Sequence, residues 1–220
     1  MLFFDLDGTL LDSNGIWLEI DIEFLGRHGI APVPEDYTDY VAHHGAEESA
    51  AYTRRRFGLT EREGEILQAW QDMAQEAYAS RLPLKPGAGE FLARCRRAGY
   101  PMALLTSCMP QLCRAALAHH QLEGVFTQVV TAQELGLEKR DPEFYRRAAA
   151  LCHGNLEESI LFEDAPNYCA AARRAGLAVA GVADPLFEPR REELQASCTY
   201  WVDSFLALPP ELERRLFPGK

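Results

Sequence analysis

Asp5-Leu6-Asp7-Gly8-Thr9-Leu10 follows the apolar run Met1-Leu2-Phe3-Phe4 and carries two carboxylates two residues apart. Side chains alternate along extended chain, so Asp5 and Asp7 at the end of a strand face the same way. Gly8 then lets the backbone leave the strand sharply. Two like charges held that close repel unless a cation lies between or beside them. The pair therefore asks for a divalent metal, and the metal for an anionic substrate. Three later islands carry matching chemistry. Leu104-Leu105-Thr106-Ser107 ends an apolar run in hydroxyls, and Glu138-Lys139-Arg140-Asp141-Pro142 opens a helical pattern. Ile160-Leu161-Phe162-Glu163-Asp164 ends a second apolar run in paired acids. The chain holds nineteen arginines but only three lysines, Lys85, Lys139 and Lys220, so a mechanism that needs a lysine has few candidates.

The elements that must position these groups are legible as apolar runs. Strands are expected at Leu2–Phe4, Met102–Leu105, Val125–Val130, Ile160–Phe162, Val179–Val182 and Tyr200–Val202. Helical patterns separate those after residue 85, at Gly89–Ala98, Gln111–His119, Pro142–Leu151 and Tyr168–Ala175. Short apolar runs alternating with amphipathic helices predict an α/β fold, a parallel sheet covered by helices on both faces. In such a sheet ligands bind outside the carboxyl ends of the strands, where three of the four islands fall. The stretch 14–84 breaks the rhythm. It reads as helices at Trp17–His28, Ala46–Phe57 and Glu61–Arg81, with a capping box from Thr60 to Glu63. The expected organisation is a core of residues 1–13 and 85–220 with an inserted all-helical domain over 14–84, hinged at Asp12–Asn14 and Pro83–Gly87.

Bulk properties remove several classes of function. The 220 residues are 47% hydrophobic and 25% charged, as in a soluble globular protein. A formal net charge of −11, with no basic run longer than Arg54-Arg55-Arg56, argues against a nucleic-acid partner. No apolar stretch approaches the roughly 18 residues of a membrane span. A signal peptide is not expected, since the first strand and its aspartates begin at once. Cys95, Cys108, Cys113, Cys152, Cys169 and Cys198 lack C-x-x-C spacing, which suits buried reduced thiols in a cytoplasmic protein.

Taken together and in order, the four islands resemble the motifs of the haloacid dehalogenase superfamily of phosphotransferases. Pro86-Gly87-Ala88-Gly89-Glu90-Phe91-Leu92 with Ala98-Gly99-Tyr100, and Tyr200-Trp201-Val202-Asp203-Ser204-Phe205 near the end, are also similar to segments of that family. The helical insert directly after the first motif resembles the small-cap subfamily that includes β-phosphoglucomutase and phosphoglycolate phosphatase. The resemblance implies a Rossmann-like core with a helical cap, and roles for individual residues. Asp5 would be the nucleophile that forms an aspartyl-phosphate. Asp7 would be the general acid and then the base. Thr106 and Lys139 would hold the phosphoryl oxygens, with Ser107 beside them. Mg2+ would be bound by Asp5, Asp7 (through its carbonyl) and Asp164, with Glu163 in or near its outer shell.

Asp7 narrows the chemistry further. Dehalogenases and phosphonate hydrolases of this family typically lack that second acid, and phosphonate hydrolases also need a cap lysine. No lysine occurs between Ser13 and Leu84. Phosphate esters remain, with a small phosphorylated metabolite as the substrate and the protein working as a monomer or homodimer. A phosphomutase would place an arginine in the cap's specificity loop. The matching stretch, Ala42-His43-His44-Gly45-Ala46-Glu47-Glu48, carries acids instead, and His43 and His44 are the candidate substrate contacts. The expected activity is thus a phosphatase. A phosphomutase of the same architecture and a catalytically inactive binding protein are the alternatives. Relatives commonly have Glu-Asp-Ser-x-x-Gly in the fourth motif, but this chain has Glu163-Asp164-Ala165-Pro166-Asn167-Tyr168. Tyr168 adds bulk there.

Overall fold

A computed structural model describes residues 1–219, without the side chains of Ala42 and His43. The chain opens with β1 (Leu2–Phe4) and then forms four helices, α1 (Ile16–Arg27), α2 (Glu35–His43), α3 (Ala46–Phe57) and α4 (Glu63–Ser80). Strands and helices alternate from there: α5 (Ala88–Arg97), β2 (Met102–Thr106), α6 (Pro110–His119), β3 (Gln128–Thr131), α7 (Ala132–Leu135) and α8 (Pro142–Leu151). The remainder is β4 (Ile160–Glu163), α9 (Pro166–Ala175), β5 (Ala178–Val182), α10 (Arg191–Ser197), β6 (Tyr200–Val202) and α11 (Pro210–Leu216). The chain divides into two compact units, Met1–Asn14 with Leu82–Lys220, and Gly15–Arg81. No helix among the described residues is long and apolar enough to cross a membrane.

The first unit is built on one six-stranded parallel sheet in the order β3-β2-β1-β4-β5-β6. Every residue of β1, β2 and β4 is buried, as strands covered on both faces must be. β1 lies between β2 and β4, with Phe4 level with Leu104 on one side and Phe162 on the other. The Phe4 ring stacks on Phe162 at 4.8 Å and meets Phe91 and Phe126 edge-on. Such aromatic pairs bury large areas, which fixes the register of the strands that carry the acids. The chain runs outward from β1 to β3 and returns to start β4 on the other side. That reversal makes a crevice at the carboxyl ends of β1 and β4.

After β1 the chain makes one tight turn, closed by the N–H groups of Leu10 and Leu11 on the Leu6 carbonyl. It then pairs with the segment that re-enters the unit. Leu11 bridges Leu84, Asp12 N–H donates to Pro83 O, and Lys85 N–H donates to Leu10 O. Lys85 is buried, its ammonium donating to Ala183 O and to Asp184, which ties this return segment to the end of β5.

The elements expected from the sequence are present, α7, α10 and α11 are additional to them, and four further points differ. The third predicted strand begins later, at Gln128, because Phe126 leaves the extended line to pack on Phe4. The capping box of α4 lies two residues downstream of the expected one. Arg62 is the cap, its N–H donating to the Glu65 carboxylate at 2.7 Å, while Thr60 turns toward Glu61. The supposed loop Ala42–Glu48 is mostly helix, the end of α2 and the start of α3. And α2 lies where Pro32 and Pro34 predict only a gap; Pro34 in fact precedes its first turn. All six cysteines are free thiols.

The second unit packs α4 against α1 and α3. Its core holds a polar chain. Thr53 donates to Ser49 O at 2.7 Å, so at the Tyr37 hydroxyl, 3.0 Å away, Thr53 must accept. Tyr37 has one hydrogen, and an Asp21 oxygen lies 3.1 Å from the same hydroxyl. A protonated Asp21 completes the chain; an ionised one competes with Thr53 for that hydrogen. Burial pushes the Asp21 carboxyl up to about 6, against the Tyr37 hydrogen bond that pulls it down. A carboxyl raised in the folded state costs nothing below its unfolded value near 4, and costs most above its folded one. Asp21→Asn is therefore expected to stabilise the protein at pH 8 by about 1–3 kcal/mol and to have no effect at pH 4. Urea melts of both proteins at the two pH values check this.

Candidate active site

Asp5 begins one residue past β1, and its N–H donates to Phe162 O at 3.0 Å, which aligns it with the end of β4. Lys139, just before α8, reaches into the same crevice and is wholly buried. Its ammonium donates to Asp5 Oδ1 at 2.5 Å and to Glu163 Oε2 at 2.6 Å. The other Glu163 oxygen accepts from the N–H groups of Asp164 and Ala165, both at 3.1 Å. The Asp164 carboxylate accepts from Thr9 Oγ1 and Asn14 Nδ2, each at 2.9 Å. Ser13 Oγ donates to Asp7 Oδ1 at 2.7 Å.

Gly8 is needed here for two reasons. Its φ of +75° is a conformation that side chains disfavour, and an added Cβ would collide with Asn14 and the Asp164 carboxylate. Thr106 ends β2, buried, and its Oγ1 accepts from Cys108 N–H at 3.0 Å, which sets the turn that follows. Ser107 is exposed and lines a cavity of about 440 Å³ together with Lys139, Asn167 and Tyr168.

Charge is the dominant feature. Asp5, Asp7, Glu163 and Asp164 set four carboxylates against one ammonium. Burial pushes the Asp5 carboxyl up to about 7, against the pull of Lys139, with Asp164 and Asp7 adding repulsion. Burial and the charge on Asp5 likewise raise Glu163 well above the carboxylate range, and burial raises Asp164. Burial alone would lower Lys139, but Asp5 and Glu163 reverse that and hold it charged. Oxygens of Asp5, Glu163 and Asp164 lie within 4.8 Å of one another, a hard-oxygen donor set of the kind that suits Mg2+ or Ca2+. Within that set both oxygens of Glu163 are already engaged, by Lys139 and by two backbone N–H groups. Glu163 thus takes three hydrogen bonds, one of them from an ammonium. Each Asp164 oxygen takes one from a neutral group and Asp5 is bonded through Oδ1, so Asp5 and Asp164 keep more capacity for an ion.

Of the residues singled out in the sequence, Asp5, Lys139, Glu163 and Asp164 converge on one crevice. Asp7 lies in the turn after β1, Thr106 ends the neighbouring strand β2, and Ser107 lies in the adjoining cavity. His44 belongs to the second unit. Its ring stacks on Tyr40 at 3.8 Å, its Nδ1 lies 2.6 Å from Tyr40 O, and Glu48 is 3.8 Å from its Nε2. The His43 side chain lies outside the described residues. Thr9, Ser13 and Asn14 were missed as site residues. Thr9 and Asn14 meet Asp164 across 155 and 150 residues of chain, a pairing no local pattern announces. Ser13, six residues from Asp7, was within reach of a local reading.

Removing one partner of a buried ion pair strands the other charge. Lys139→Met is expected to lower stability by about 3–5 kcal/mol, and adding Glu163→Gln to it should recover part of that loss. Urea unfolding of wild type, single and double variants measures both. A Lys139→Met protein as stable as wild type would contradict the charge assignment.

Comparison with known proteins places the chain in a family. Residues 1–176 match the family of haloacid dehalogenase-like hydrolases. Hexitol phosphatase A of Escherichia coli is 30% identical over 196 residues, covering 87% of this chain and 86% of that protein. Phosphoglycolate phosphatase of Agrobacterium fabrum is 27% identical, covering 98% and 93%. The fold is shared with a haloacid dehalogenase family hydrolase from Deinococcus radiodurans solved with bound phosphate and sodium. That match has a TM-score of 0.75 at 20% identity and covers 97% of this chain and 95% of that one. The chain belongs to the haloacid dehalogenase-like hydrolases.

Proposed function

We propose that this hydrolase is a phosphatase that cleaves a small phosphorylated metabolite, a sugar phosphate or a phosphoglycolate-like acid, through an aspartyl-phosphate. The observation that carries this reading is the buried Lys139 ammonium held between Asp5 and Glu163, with Asp164 alongside, at the carboxyl ends of β1 and β4. The similarity to hexitol phosphatase A and phosphoglycolate phosphatase supports the substrate class.

In this reading a carboxylate oxygen of Asp5 attacks phosphorus while the bond to the ester oxygen breaks. Asp7, hydrogen-bonded by Ser13, gives its proton to the departing alkoxide. A water then attacks the phosphorus, Asp7 takes its proton, and Asp5 is released with inorganic phosphate. Lys139 holds the phosphoryl oxygens where negative charge gathers, and the Thr106 turn contributes polar contacts. Asp5 and Asp164, with the Asp7 carbonyl, would hold a divalent cation, for which the excess of carboxylates is suited; Mg2+ is the proposed ion. When bound, it supplies charge that lets an anionic nucleophile meet an anionic ester. Glu163 serves by fixing Lys139 and the loop after β4.

The unit Gly15–Arg81 is proposed to act as the cap that selects the ester. A mutase needs a free cationic grip there. Glu47 and Glu48 follow the His44-Gly45 turn where that grip would stand, while Arg54 donates to Glu61 O and Arg55 is exposed further along α3, so the acids at the turn favour a phosphatase. Cytoplasmic action on a soluble metabolite accords with the free thiols.

Purified protein is expected to hydrolyse p-nitrophenyl phosphate with added Mg2+ and to stop on chelation. Asp5→Asn should abolish turnover and Asp7→Asn should reduce kcat by about a hundredfold or more. No release of p-nitrophenol, and none of phosphate from a panel of sugar and short-acid phosphates, would move the reading to a binding protein. Isomerisation of a hexose phosphate that depends on a bisphosphate primer would make it a mutase.

A further inference from the structure

Tyr168 is the departure in the fourth motif that the proposed chemistry leaves unused. It stands on the first turn of α9, half-buried. Its ring centroid lies 4.8 Å from Lys139 Nζ, within cation–π range. The backbone beneath the ring is held at both polar groups. Tyr168 N–H donates to Ala165 O at 3.1 Å, and its carbonyl accepts from the Tyr145 hydroxyl at 3.3 Å. Tyr145 is itself fully buried on α8, so the ring is carried by two packed helices.

Lys139 gives two of its three N–H bonds to Asp5 and Glu163. A desolvated ammonium gains from the negative face of an aromatic ring, and more so than an exposed one. The ring and Lys139 line the same cavity of about 440 Å³. With glycine at this position the ammonium would border that space with no ring beside it.

We propose that Tyr168 is a positioning residue for Lys139: its ring covers one side of the ammonium and keeps it aimed at Asp5. The proposal rests on the phosphatase reading for its kinetic consequence. Its structural half, that the ring shields and pins Lys139, stands apart from that reading. Misdirection of a group that stabilises the transition state lowers kcat more than it raises KM.

Two readouts test it. With p-nitrophenyl phosphate and Mg2+, Tyr168→Leu, which keeps bulk without the ring's charge distribution, should lower kcat about five- to thirtyfold with KM within about threefold. Tyr168→Phe, which keeps the ring, should return kcat to within about twofold of wild type. Equal losses in the two variants, or a change in KM alone, would overturn the positioning role. The second readout needs no turnover. A short pulse of an amine-acylating reagent on the folded protein, followed by peptide mass spectrometry, follows Lys139 against Lys85 in a chain with three lysines. Lys139 should label about fivefold or more faster in Tyr168→Leu than in wild type or Tyr168→Phe, with Lys85 unchanged. Unaltered Lys139 labelling would overturn the proposal. A wild-type protein without phosphatase activity that still showed the labelling difference would sink the functional reading and leave Tyr168 as the shield of Lys139.

Discussion

The structure depends on one buried cation among four carboxylates. Lys139 is out of solvent, and its charge persists because Asp5 and Glu163 flank it at hydrogen-bond distance. An isolated buried ammonium would give up its proton, and isolated buried carboxylates would take theirs. Each group here keeps its state only while the others stay in place. That mutual dependence explains the backbone around them. Glu163 is cradled by two N–H groups of the loop it begins, and Asp164 by Thr9 and Asn14. The charge still does not balance, and a cation near Asp5 and Asp164 is the natural complement.

The parallel sheet is what makes such a cluster possible. Strands running the same way end on the same edge, so β1 and β4, far apart in sequence, deliver Asp5 and Glu163 side by side. Stacking of Phe4 on Phe162 sets their register one step before the acids. A slip of one residue would send the carboxylates to opposite faces of the sheet. The apolar pairs inside the sheet thus hold the polar ones at its edge.

Around that edge the chain adds parts with separate tasks. The turn after β1 is closed on itself by Leu6 and pinned to the returning segment through Leu11, Leu84 and Lys85, so the acids sit on a braced loop. The fourth motif carries Ala165 and Tyr168 after its acids, and the cradle of Glu163 does not depend on their side chains, because it uses backbone N–H groups that any residue but proline supplies. What changes is the neighbour of Lys139. The helical unit is organised by different chemistry, a buried relay from Asp21 through Tyr37 and Thr53, and is more acidic than basic.

Much of this was legible in the sequence, for physical reasons that can be named. Leu2–Phe4, Met102–Thr106 and Ile160–Glu163 are apolar runs bounded by polar residues, and strands buried on both faces leave that signature. Asp5, Asp7, Lys139 and Asp164 stand out because acids and a rare lysine at strand ends and a helix start are unusual on apolar scaffolds. α2 stayed hidden because its weak apolar pattern follows two prolines, and the true cap of α4 because Thr60 is the better capping residue type than Arg62. The sequence alone determined the acids, their order and the alternation that builds the sheet, since these are written in local periodicity. Only the tertiary structure decided that Glu163 holds Lys139, that Thr9 and Asn14 hold Asp164, and that Tyr168 faces the ammonium. Those are contacts between segments distant in the chain, and they exist only once the strands have found their neighbours.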